Sequence, residues 1–292
     1  MTSAIHCDLA PIVLDDLAKH SAWPKRLLGL EQFGVREKTE QEVLREFQLE
    51  RWGRLLDHAR TLDHPTLAEI QRISSGPSVE TPCYVDGSFY LANQAQMLAA
   101  HLDLYAEVLR PHMEGATCLA ELGAGFGSKL LALSMREPFA GMPLAAGEYT
   151  ESGCALISLL ARQLNKVAHV GRCDFRLLTT SGLDIPDGAV IFTSYAVLYV
   201  QEMSRDFVGF LRRFKPKAVI HFEPCYEYLD PQSLHGLMCR RYIELNDYTR
   251  NFATIVEQAQ REGTISLRLR KNVLGNNPFL PLSILEWSPI PS

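Results

Sequence analysis

Residues 119–131 read LAELGAGFGSKLL. A short apolar run gives way to Gly123, Gly125 and Gly127, after which apolar residues resume at helical spacing. The pattern predicts a strand ending near Leu122, a tight turn, and a helix over 128–136. Glycines at such a turn let the chain reverse sharply and let backbone approach a ligand closely. In open α/β sheets, ligands sit beyond the carboxyl ends of the strands, which is where this loop falls. The loop spaces its glycines G-x-G-x-G, not the G-x-G-x-x-G of dinucleotide folds, and Glu121 precedes it. A carboxylate there suits an ammonium group better than a pyrophosphate.

Downstream, apolar runs alternate with helical patterns. Strands are predicted at LAAGEY (144–149), AVIFTS (189–194), AVIHFE (218–223), TISLRLRK (264–271) and LSILEW (282–287). Helices are predicted over 152–166 and 204–214, and one long helix over 231–260. Alternating strands and helices predict an α/β fold, a mostly parallel Rossmann-like sheet with helices on both faces. The last two strands form an antiparallel hairpin at one edge. Upstream, residues 1–110 read as helical, interrupted by a Gly/Pro/Ser-rich linker at 74–88. The expected division is a helical cap or dimerisation region over 1–86 and a ligand-binding domain over 87–292. In the helix expected from residue 89, Tyr90 and Gln94 share a face.

Composition narrows the function classes. The chain has 292 residues, a net charge of −5 and 47% hydrophobic residues, so a full core forms. An acidic balance argues against phosphate-backbone binding, so no nucleic-acid partner is expected. None of the seven cysteines falls in a C-x-x-C pair or a zinc-type His/Cys cluster. They read as reduced buried thiols of a cytoplasmic protein, with no metal. No apolar run approaches the ~20 residues of a membrane span. No basic-then-apolar signal peptide opens the chain, so no membrane partner is expected either.

Glu148 ends the second strand, about 20 residues past the glycine loop, where a carboxylate accepts ribose hydroxyls. That feature fits NAD and S-adenosylmethionine equally. Taken in order, LAELGAGFGSKLL, AAGEYTESG (145–153) and GLDIPDGAVIFTSYAVLYV (182–200) resemble the class I S-adenosylmethionine-dependent methyltransferases. The resemblance runs from residue 117 onward. It implies a seven-stranded sheet whose last strand is antiparallel. It places Glu121, Gly123, Gly125 and Gly127 on the methionine part, Glu148 on the ribose, and Tyr149 and Thr150 beside the adenosine. The family often carries an acidic residue near adenine before the LDIP segment. Here that stretch holds Thr180, Ser181 and Gly182, so hydroxyls such as Ser181 and backbone groups read the base. The segment before the first strand commonly covers the cleft, which assigns Tyr90 and Gln94 to the cofactor's amino-acid end. Ser194, Tyr195 and Tyr199 fall just past the fourth strand, facing the cleft. Aromatic rings there attract a sulfonium or cationic substrate by about 0.5–2 kcal/mol.

The substrate reading rests on VIHFEPCYEYLD (219–230). Glu223 ends a strand and Glu227 follows one turn later, whereas Asp230 and Pro231 suit a helix N-cap and first turn. Glu244, Asp247 and Tyr248 share one face of the following helix, where Arg240 and Glu244 are spaced for an ion pair. Four acids at one rim predict a cationic small-molecule substrate, since carboxylates match a guanidinium fork or an ammonium. The expected reaction is N-methylation of a small cationic amino acid or guanidino compound such as L-arginine. Glu223, Glu227 and Tyr195 orient it and take its proton. The strand end and terminal hairpin are similar to the arginine N-methyltransferases of natural-product pathways, such as streptozotocin biosynthesis. Three alternatives stand beside it: O-methylation of a small hydroxylated or phenolic metabolite or peptide with His221 or His235 as base, a nicotinamide-dependent oxidoreductase, and a silent binding protein. The helical first hundred residues are expected to cap the cleft, to form a homodimer interface, or both.

Overall fold

The structure, a computed structural model, describes residues 9–290; Cys7 and the residues 1–8 that open the expected leaderless N-terminus lie outside them. The strands are β1 (Ala10–Ile12), β2 (Thr81–Val85), β3 (Ser88–Ala92), β4 (Leu119–Leu122), β5 (Leu144–Glu148), β6 (Ala168–Asp174), β7 (Thr179–Ser181), β8 (Val190–Ser194), β9 (Ala218–Pro224), β10 (Ile265–Gly275) and β11 (Leu282–Pro289). The helices are α1 (Leu17–His20), α2 (Trp23–Leu27), α3 (Glu40–Leu44), α4 (Trp52–Thr61), α5 (Leu67–Ser75), α6 (Gln94–Leu109), α7 (Ser128–Leu133), α8 (Glu151–Gln163), α9 (Phe207–Arg212), α10 (Leu234–Leu245) and α11 (Phe252–Arg261). A π-helical turn, Arg45–Arg51, joins α3 to α4.

All eleven strands form one sheet in the order β1-β3-β2-β10-β11-β9-β8-β4-β5-β6-β7. From β9 to β6 the strands are parallel, and β11 enters antiparallel between β9 and β10. β4, β5, β8 and β9 are buried along their whole length, which is why they read as largely apolar runs. Alternate residues serve opposite faces. Leu119, Leu144, Phe192 and Phe222 pack under α6, α7 and α8. Ala120, Ala145, Ile191 and Val219 pack under α9 and α11.

The α/β fold with a closing antiparallel hairpin matches the expectation from sequence, and four particulars are corrected. First, the expected linker at 74–88 contains β2, and the helix expected from residue 89 starts with β3. Tyr90 therefore lies on a strand, Gln94 opens α6, and they share no helix face. The helix begins where Asn93 and Gln96 form a reciprocal capping box. The boundary placed at 86/87 falls in the turn between these paired strands. Second, the terminal hairpin is not an edge, because β2, β3 and β1 continue the sheet beyond β10. Third, the long helix over 231–260 is two helices. The break at Asn246–Asn251 includes Asp247 at φ +53°, so Glu244, Asp247 and Tyr248 share no helical face. Fourth, Ser233 caps α10, while Asp230 only closes a local turn onto the Gln232 amide. β6 and β7 were not expected from the sequence.

Candidate functional site

The carboxyl ends of β4, β5, β6 and β8 open onto a cavity of about 250 Å³. The glycine loop forms one wall. Gly123 has φ +73°, and a Cβ there would come within 2.3 Å of the Ala196 Cβ. Gly125 has φ +59°, and a Cβ would press on the Trp52 indole at 3.0 Å. Both positions demand glycine for conformation and for space.

Glu148 forms the second wall. Its Oε2 accepts the Gly125 N–H at 2.9 Å, and its Oε1 accepts the Thr150 N–H at 3.0 Å and hydroxyl at 2.8 Å. Burial raises the carboxyl's pKa and these bonds oppose the rise. Tyr149 beside it donates its hydroxyl to Glu40 at 3.1 Å. The end of β6 supplies Asp174, Phe175 and Arg176, and the end of β8 supplies Ser194, Tyr195 and Ala196.

The roof comes from the N-terminal region: Val43 of α3, Phe47 and Arg51 of the π-helical turn, and Trp52 of α4. Phe47 packs edge-on against Tyr199, and Trp52 packs at a tilt against Phe126. Gln48 fastens the roof to the start of α8, accepting the Ser152 N–H at 3.2 Å and hydroxyl at 3.0 Å. π-helical turns recur at functional sites because they re-aim side chains within a helix.

A second chamber of about 160 Å³ adjoins the first. Phe126, Ser128, Lys129 and Tyr195 belong to the walls of both. Lys129 Nζ donates to the Ser194 carbonyl at 3.1 Å and lies 4.0 Å from Glu121 Oε1. Tyr195 sits at φ +51°, a strained conformation for a bulky residue.

Of the residues expected at the cofactor, Gly123, Gly125, Glu148, Tyr149, Thr150 and Ser194 line the first cavity, as does Tyr195. Glu121, Gly127, Tyr90 and Ser181 do not, and Gln94 lines the second chamber instead. Glu121 is fully buried behind the loop; Oε2 accepts the Leu130 N–H at 3.1 Å, while Oε1 has no hydrogen-bond partner among the described residues. Burial pushes its carboxyl up to about 7, with Lys129 pulling it back. A Cβ on Gly127 would meet Ile157 of α8, so that glycine serves packing. Ser181 lies on the outer edge strand, paired with Arg172.

The four rim acids do not form a ring. Glu223 is fully buried, both oxygens accepting the Ala196 N–H at 3.0 Å. Glu227 accepts the Thr254 N–H at 2.9 Å at the start of α11. Glu244 accepts the Tyr226 hydroxyl at 2.9 Å and pairs with Arg241, not Arg240. Asp247 accepts the Lys38 N–H at 3.1 Å and a bond from Gln201. Tyr248 packs edge-on against Tyr199, outside the cavity lining. His221 is buried between Thr193 and Trp287, and His235 bonds the Pro278 carbonyl; neither lines either chamber.

Sequence reading missed Phe47, Trp52, Lys129, Asp174 and Arg176 as wall residues. The signal for Asp174 and Arg176 was available, since they mark the carboxyl end of an unread strand. Among the described residues, no group of three or more His, Cys, Asp or Glu could hold a metal ion, and no helix is long and apolar enough to cross a membrane.

No protein-family model and no curated protein sequence matches the chain. Among solved structures, it is similar to magnesium protoporphyrin IX methyltransferase from Synechocystis PCC 6803, solved with bound S-adenosylhomocysteine. The TM-score is 0.51 at 12% identity, over 86% of this chain and 100% of that one. It is also similar to the small RNA methyltransferase HEN1 (TM-score 0.49, 15% identity, 68% of this chain), of whose length it spans 26%. Geranyl diphosphate C-methyltransferase from Streptomyces coelicolor A3(2) follows at TM-score 0.44 and 14% identity, over 67% of this chain and 83% of that one. The first of these shows a shared Rossmann-like fold.

Proposed function

We propose that this chain is an S-adenosylmethionine-dependent methyltransferase and that the first cavity holds the cofactor. The observation that carries the reading is the facing pair of glycine loop and Glu148, locked together at the carboxyl ends of adjacent strands β4 and β5. The residues fit that group. The glycines leave room for close backbone approach, Glu148 Oε2 keeps a lone pair for a ribose hydroxyl, and the cavity wall is rich in aromatic rings. When bound, the cofactor supplies a methyl group already activated on a sulfonium.

The chain's own work is then positioning and exclusion of water. Tyr195 and Tyr199 present rings that favour positive charge, and Phe47 and Trp52 roof the cavity. Glu223 holds the elbow after Tyr195 in place. The contacts of Gln48 and Glu40 support a capping role for the N-terminal helices.

The cationic acceptor expected from Glu223, Glu227, Glu244 and Asp247 draws no support from their placement. Each is engaged elsewhere, and arginine in particular has no ring of acids to receive its guanidinium. Calorimetry with S-adenosylmethionine, S-adenosylhomocysteine and NAD tests the proposal. Binding of the first two is expected; saturable NAD binding with neither of them would overturn it.

A further inference from the structure

The second chamber shares Lys129 and Tyr195 with the cavity assigned to the cofactor. Its lining contains no carboxylate. It offers amides and hydroxyls from Gln71, Ser74, Ser75, Gln94 and Asn276, and one cation, Lys129. It also contains His101 of α6, whose Nε2 is buried without a hydrogen-bond partner among the described residues. The other ring nitrogen, Nδ1, lies 2.7 Å from the Met97 carbonyl. A carbonyl only accepts, so Nδ1 carries the proton and Nε2 presents a lone pair. A buried acceptor left unsatisfied costs about 1–3 kcal/mol, and ordered water or a ligand's donor group meets such a need.

Building on the cofactor reading above, we propose that this chamber receives the methyl acceptor, a small uncharged hydroxyl-bearing molecule of about single-ring size, whose O–H donates to His101 Nε2. The size follows from the volume, since an engineered cavity of roughly 150 Å³ takes up benzene. The class follows from the lining: a lone-pair acceptor for the hydroxyl, a cation to stabilise developing oxygen charge, and no acid to hold an ammonium or guanidinium. Burial holds His101 down to about 4, which keeps the imidazole neutral and its acceptor face free. In the transfer, a lone pair of the acceptor oxygen forms the O–CH3 bond. The S–CH3 bond breaks with its electron pair left on sulfur. The hydroxyl proton passes to His101 Nε2 and then to water. The positive charge moves from sulfonium to imidazolium, so charge balances.

The test uses the full chain saturated with S-adenosylhomocysteine, titrated with phenol, catechol, cyclohexanol, benzylamine and L-arginine by ligand-observed NMR. Saturable binding of at least one hydroxyl probe is expected. His101→Phe keeps the ring volume, removes the acceptor, and is expected to weaken that binding at least tenfold. Leu98→Trp fills the chamber from its wall and is expected to abolish it. S-adenosylhomocysteine affinity should change less than threefold in both, which also reports that each variant is folded. With labelled S-adenosylmethionine, label should appear on oxygen and fall at least 100-fold in His101→Phe. The proposal is overturned if no hydroxyl probe binds, if binding survives Leu98→Trp, or if only the amines bind or take label. Any of these with intact S-adenosylhomocysteine binding leaves the cofactor reading standing; loss of cofactor binding in the wild type would instead bring down both.

Discussion

Both carboxylate oxygens of Glu223 accept the backbone N–H of Ala196 at 3.0 Å. The acid at the end of β9 thereby holds the elbow that follows Tyr195, one of the residues common to both chambers. Burial pushes its carboxyl up to about 7, from an ordinary value of 4.5. Between those values the folded chain binds more protons than the unfolded chain. The contribution of Glu223 is therefore complete below pH 4.5 and is lost as pH rises through 7. Glu223→Gln, which stays neutral, should gain thermal stability relative to wild type as pH goes from 4.5 to 7.5. Paired melting curves check this; a constant or falling difference contradicts it.

Glu148→Ala removes the acceptor for the Gly125 and Thr150 amides and the group assigned to the ribose. Charge-assisted bonds are each worth about 1.5–3 kcal/mol. S-adenosylmethionine affinity should fall by roughly 10- to 100-fold. Calorimetry of the folded variant measures it, and unchanged affinity would remove Glu148 from the ribose.

Gly123→Ala should destabilise the fold by more than about 2 kcal/mol. The new Cβ meets the Ala196 Cβ at 2.3 Å, and the backbone stands at φ +73°. Urea midpoints compare the variant with Gly182→Ala, another left-handed glycine whose added Cβ meets nothing within 4 Å. The second change should cost only the backbone penalty, about 1–2 kcal/mol.

Trp52 is the tryptophan that roofs the cavity; Trp287 is buried against His221, and Trp23 packs with Phe33 and Tyr242. Binding of S-adenosylhomocysteine should change tryptophan fluorescence, and Trp52→Phe should abolish that change. Trp52→Ala should also weaken binding about tenfold by unroofing the cavity. A signal that persists in Trp52→Phe would place the ligand elsewhere.

The legible strands were chiefly those buried on both faces, though the largely exposed β10 was legible as well. β4, β5, β8 and β9 appear as largely apolar runs, and the glycine loop names its own position. β6 escaped because AHVGRCD alternates partly exposed residues and interrupts them with glycine. β2 escaped because Pro82 sits in it. Its ladder with β10 covers only Tyr84 and Val85, so Pro82 lies beyond those pairs and its missing N–H costs that ladder nothing. The break after α10 did leave a signal, since Asn246, Asp247 and Asn251 are turn formers. The acid cluster misled for a different reason. Sequence shows which carboxylates fall near a rim, not which backbone amides claim them. His101 left no trace at all: a single histidine on an amphipathic helix is ordinary, and only the fold reveals that one of its nitrogens has no partner.

The joining of β2 to β10 sets an order of assembly. The early hairpin β2–β3 forms from neighbouring residues, but its place in the sheet exists only after β10 has been synthesised. Such late, long-range pairing raises contact order and slows folding. The roof of the cavity, by contrast, is fastened to α8 through Gln48 and Ser152, so it docks on elements that precede β10 in the chain. A chain stopped short of β10 keeps the contact between roof and α8, while its β2–β3 hairpin has no sheet to join.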